Sequence, residues 1–163
     1  MRNQEVVIEM TGAMRWAAAA LAVAAASAVG VAPANAETPA EFTITEEIDF
    51  ESGGPQSFTA TGPLCASGTF VDEPQTFAAY KGRSGHLVIL IDTVYTCDDG
   101  SGSFNALKQI LITFTGEDSS TNSGPIILRG GTGDYVGLVG HGRDLGEASG
   151  THGTGTITGY VVR

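Results

Sequence analysis

From residue 42 to residue 50 the chain alternates: Phe42, Ile44, Glu46, Ile48 and Phe50 share one parity, and Thr43, Thr45, Glu47 and Asp49 the other. Residues two apart on an extended chain point the same way, so this spacing predicts a half-buried β-strand with the even positions turned inward. Gly53-Gly54-Pro55 then stops it. Further extended runs lie at 57–61, 68–72 and 87–97, the last rich in Val, Ile, Thr and Tyr, which suit a pleated surface. Asp98-Asp99-Gly100-Ser101-Gly102 has turn chemistry and predicts a hairpin into a strand over 104–115. Residues 117–124 are polar and bounded by glycine, hence a loop. A short strand is expected at 125–129, followed by Gly130-Gly131-Thr132-Gly133. Two last strands are expected at 135–143 and 151–162, with a polar loop holding Gly146 and Gly150 between them. No window after residue 37 sustains the i, i+3, i+4, i+7 spacing of a helix.

Eight short strands joined by turns predict an all-β fold, an antiparallel barrel or sandwich. Glycines within the strand patterns, at 137, 140, 142, 153, 155 and 159, suit tight bending at barrel corners and favour the barrel. Closure also removes the unpaired edges on which strands of other chains could add.

The first 36 residues follow a different pattern. Residues 16–34 are almost entirely Ala, Val, Leu and Gly, preceded by Arg15 and followed by Ala34-Asn35-Ala36. A basic start, an apolar run and small residues at a cleavage point make a secretory signal peptide, with 37–163 as a single exported domain. A membrane anchor is the competing reading, but alanine is weakly apolar and no basic cluster follows the run. Glu5 and Glu9 do not belong in such a leader, and a start at Met14 gives a cleaner one.

The 163-residue chain carries a formal net charge of −10. The leader holds Arg2 and Arg15 against Glu5 and Glu9, so the excess acidity belongs to the domain. That balance repels phosphate backbones and anionic lipid, which argues against nucleic-acid or membrane partners. Cys65 and Cys97 are the only cysteines, and an even count in an exported chain predicts a disulfide. Two cysteines with His86, His141 and His152 scattered at irregular spacing do not make a zinc site, so no metal or cofactor is expected. Gly131-Thr132-Gly133 with Gly137 lacks the following helix of a nucleotide-binding turn. Asp98-Asp99-Gly100 lacks the alternating oxygen ligands of a calcium loop.

The run Gly130-Gly131-Thr132-Gly133-Asp134-Tyr135-Val136-Gly137-Leu138-Val139-Gly140 resembles the glycine-rich hairpin of the allene oxide cyclase barrel-like and dirigent-like proteins. The spacing from Cys65 to Cys97 also looks like small secreted bacterial members of that group. The resemblance implies an eight-stranded antiparallel barrel, often oligomeric, with an apolar cavity. It also sets Glu46 at the place of an interior glutamate thought to assist epoxide opening in the plant cyclases.

Parity alone gives Glu46 the company of Phe42, Ile44 and Ile48, and adds Tyr95 on the face of Leu87, Ile89 and Ile91. These residues form the expected ligand cavity, with Glu46 as the candidate catalytic group. A carboxyl in apolar surroundings resists ionisation and is suited to acid–base work. The alternative is that Glu46 is solvated at a barrel mouth or pairs with Lys108 or Arg129. Two functions of different class follow. One is a non-catalytic binding module for a small apolar ligand or a macromolecule. The other is an isomerase or cyclase using Glu46.

Overall fold

The computed structural model describes residues 38–78 and 86–162, including their side chains apart from those of 74–78. The expected leader and the alternative start at Met14 lie outside the described residues. Eight strands follow in order: β1 (Ala40–Asp49), β2 (Gln56–Thr61), β3 (Ser67–Ala78), β4 (His86–Cys97), β5 (Gly102–Phe114), β6 (Ser119–Gly133), β7 (Val139–Ser149) and β8 (His152–Val162). Each pairs antiparallel with the next, and β8 pairs with β1, which closes the barrel. No helix long and apolar enough to cross a membrane occurs among the described residues.

The alternation of β1 positions the interior. Phe42, Ile44 and Glu46 are buried, while Glu41 and Glu47 face out. Phe50 departs from the expectation: β1 ends at Asp49, and Phe50 is 59% exposed in the turn beyond it. On the outside, β1 and β8 display Glu41, Glu47, Thr154, Thr156 and Thr158, and the other strands also expose Val71, Val94, Leu111 and Leu145.

One end of the barrel is filled. Phe58, Phe70, Tyr95, Phe104 and Tyr135 form a contiguous aromatic cluster. Tyr95 stacks on Phe104 at 4.8 Å, and Phe58 meets Tyr95 edge-on at 5.2 Å. Pairs of this kind contribute about 0.5–1.5 kcal/mol each beyond the area they bury. Leu138, Tyr135 and Leu64 lie over the cluster, and the Cys65–Cys97 disulfide joins the segment after β2 to the end of β4, its Cα atoms 5.9 Å apart.

Three expectations are corrected. Residues 119–124, expected in a loop, begin β6, which pairs with β5 from Phe114↔Ser120 inward and runs on through Gly130–Gly133. Residues 134–137 form the turn that was expected to begin a strand; Gly133 and Gly137 sit at φ +59° and +81° there, and β7 starts at Val139. Gly146 lies inside β7, whereas Gly150, at φ +59°, makes the tight turn into β8. The strand glycines also act by close packing: a Cβ on Gly142 would stand 3.1 Å from the Phe42 ring and 2.6 Å from the Thr158 carbonyl oxygen.

Candidate functional site

Between the aromatic end and the opposite mouth lies a layer of charged groups. Glu46 on β1 is 1% exposed and Lys108 on β5 is 2% exposed. Lys108 Nζ donates to Glu46 Oε1 at 2.5 Å, and the Tyr95 hydroxyl donates to the same oxygen. Lys108 Nζ is also 3.7 Å from Asp72 Oδ1, which accepts a 2.6 Å hydrogen bond from Thr93 Oγ1. The Phe70 and Tyr95 rings flank the ammonium, their centroids 5.3 and 5.6 Å away. Of the two partners open to Glu46, Lys108 is the one the fold delivers. The wholly apolar setting expected around this carboxylate is therefore replaced by a cation and a phenol that both donate to it.

These contacts set the other charge states in the layer. Burial pulls the Lys108 ammonium down, but Glu46, Asp72 and Asp144 outweigh it and hold it above the usual lysine value. Burial, then the charge of Glu46, pushes the Tyr95 phenol well above its ordinary range, so it stays a neutral donor. Asp144 on β7 is 3% exposed, and its Oδ1 has no hydrogen-bond partner. Burial raises its carboxyl to about 6, against the pull of Lys108 and with the help of Glu46 and Asp72. Asp144 and Glu46 face the space left by Gly155 of β8: a Cβ there would stand 3.0 Å from Glu46 Oε2 and 3.5 Å from Asp144 Oδ1.

Above this layer the barrel opens into a cavity of about 720 Å³. It occupies the end where β1, β5 and β7 finish and β2, β6 and β8 begin. By register Ile48, Gln56, Ser120, Ala148 and Gly153 turn into it, while Glu47, Asp49, Ser57, Thr121, Glu147, His152 and Thr154 border it at the rim. Gln56 also lines it, although its amide is engaged by the β1–β2 connection, accepting from Asp49 N at 2.8 Å and donating to Ser52 Oγ at 2.7 Å. A smaller recess of about 250 Å³ adjoins the exposed rings of Phe50 and Phe114.

The residues expected to line one ligand cavity are thus divided. Ile48 reaches the mouth cavity, whereas Phe42, Ile44 and Tyr95 are packed in the core. Glu46 lies beneath the cavity floor, one inward position below Ile48. Gly130, Gly131, Gly133, Tyr135, Gly137 and Gly140 sit at the filled end or on the strands running from it, away from the mouth. His86 Nδ1 is 3.0 Å from Thr113 Oγ1, and His141 is exposed on β7. No group of three or more His, Cys, Asp or Glu is arranged to hold a metal ion among the described residues.

Asp72, Thr93 and Asp144 were not anticipated from the sequence. A signal for the charged layer did exist in β5, where Lys108 interrupts the inward series Phe104, Ala106 and Ile110. Asp144 had no such signal, because its inward neighbours on β7 are Gly140, Gly142, Gly146 and Ala148. Compared with known proteins, the chain matches no protein-family model, no curated protein and no solved structure.

Proposed function

We propose that the protein is an exported, non-catalytic receptacle for a small molecule held in the mouth of the barrel. The observation that carries this reading is the cavity of about 720 Å³ at the end that the described side chains leave open, a volume in the range of small-molecule sites. Its polar rim, with Glu47, Asp49 and Glu147, favours a ligand bearing a polar group over the wholly apolar one expected from parity and resemblance. Export is supported by the leader-like pattern of residues 1–36 and by the disulfide, a bond that persists in oxidising compartments. Kinship with the allene oxide cyclase barrel-like proteins remains our reading of the Gly130–Gly140 motif, and the eight-stranded antiparallel barrel agrees with it. Binding is favoured over isomerisation because Glu46 is held by Lys108 and Tyr95 and does not line the cavity.

Ala148 lines both the main cavity and the smaller recess, so Ala148→Trp should obstruct the mouth. Ligand-observed NMR against a library of small polar metabolites should find binders to the wild type that Ala148→Trp abolishes. Val136→Ala, at an exposed position at the filled end, should leave them unchanged. Binders that Ala148→Trp retains, or a library without binders, would overturn the proposal.

A further inference from the structure

Charge within the barrel does not balance. Glu46 and Lys108 neutralise one another at 2.5 Å, and Asp72, the next carboxylate near Lys108, has a side chain 32% exposed to water. Asp144 is left over: it is 3% exposed, and its Oδ1 meets no donor. A buried carboxylate oxygen without a partner is costly to a fold, and such sites call for a functional explanation. Asparagine at this position would carry no charge to bury, yet the chain has aspartate.

Small residues separate this group from the mouth, whose lining reaches Ala148 and Gly153. On β7 and β8 the inward positions between the cavity and Asp144 are the pairs Ala148↔Gly153 and Gly146↔Gly155. This wall carries a single methyl group before it reaches Asp144, and the Asn122 amide of β6 lies over Gly146. A side chain on Gly155 would press on both Glu46 Oε2 and Asp144 Oδ1. The Phe50 ring lies against Gly153 and is itself 59% exposed, so it can move without disturbing the core. At the rim stand Glu47, Asp49 and Glu147, and no Lys or Arg lines the cavity among the described residues. A rim that carries one sign of charge concentrates ligands of the other.

We propose that Asp144 is the seat for the ammonium group of a small organic amine bound in the mouth cavity, with the exposed Phe50 and Phe114 rings beside its carbon body. This rests on the receptacle reading and names its ligand class. An ammonium brings several N–H donors on a compact head, which suits two carboxylate oxygens facing one small space. It also supplies the positive charge that the layer lacks. A neutral hydroxyl supplies a donor but no charge, and an anion is opposed at both the mouth and the floor.

Calorimetry at pH 7.5 tests this with hexylamine, 2-phenylethylamine and 1,5-diaminopentane, each beside its alcohol counterpart. At least one amine should bind tenfold or more tightly than its alcohol, and Asp144→Asn should erase that preference with near-UV circular dichroism unchanged. Gly155→Ala, which narrows the space without altering charge, should also weaken the amine. Asp144 is faced by Glu46 on β1, Asp72 on β3, Tyr95 on β4 and Lys108 on β5. The pH profile is therefore read against Asp144→Asn, which keeps all four. An alkylammonium stays charged throughout, so protonating Asp144 should weaken amine binding about tenfold from pH 7.5 to 5 in the wild type alone. Amines that bind no better than alcohols, or a preference that survives Asp144→Asn, would overturn the inference. Neutral binders lost in Ala148→Trp would then still uphold the receptacle, whereas no binder of any kind would remove both.

Discussion

Lys108 and Glu46 are almost wholly removed from water, so each depends on the other. Removing one partner of such a pair strands the second charge, at a typical cost of about 3–5 kcal/mol. Lys108→Met should therefore lower the urea-derived unfolding free energy by about that amount, while Lys108→Met combined with Glu46→Gln should recover much of it. Equal losses for the single and double variants would contradict mutual dependence. Asp144 behaves in the opposite sense. Its carboxyl is raised from 3.8 to about 6 in the folded chain, so the folded state holds its proton more tightly than the unfolded state. The penalty is absent below the unfolded value and fully present above about 6, reaching about 3 kcal/mol by linkage. Asp144→Asn should stabilise the protein at pH 7.5, and the gain should shrink as pH falls from 6 toward 4. A gain that is constant with pH would show that the charge is not its source.

Strand β1 is legible because its inward residues are large and apolar, with Glu46 the exception that parity picks out. The start of β6 and the end of β7 are not, and the reason lies in what they face. Period-two alternation exists only where one side of a strand is apolar; around the mouth the inward residues are Ser120 and Asn122 on β6 and Gly146 and Ala148 on β7, which are small or polar. The residues that leave the mouth open therefore erase the pattern that would have revealed its walls. The glycines of β7 and β8 have the same effect, since they pair and pack without leaving a hydrophobic mark. Their packing makes a separate prediction. Gly142 abuts the Phe42 ring and the Thr158 carbonyl, so Gly142→Ala should destabilise by about 1–3 kcal/mol through overpacking, measured by urea unfolding. No loss would mean that β8 yields more easily than a closed sheet should.

At the scale of the molecule the two ends differ in construction. The disulfide closes a 32-residue separation at the filled end, which in the chain-entropy model contributes about 3.5–4 kcal/mol. Reduction, or Cys65→Ser with Cys97→Ser, should lower stability by about that amount. Ligand binding at the mouth should survive wherever the protein stays folded, because neither cysteine lines the cavity. Loss of binding in a still-folded reduced protein would show that the two ends communicate. Among the described residues, Tyr135, Leu138 and the aromatic cluster fill the barrel behind the charged layer. On the receptacle reading proposed above, the barrel is therefore a cup and not a pipe: what goes in must come back out past the same rim. Such a vessel can store, sequester or hand over its contents, but it cannot conduct them, and a bulky group added at the lip would slow filling and emptying alike.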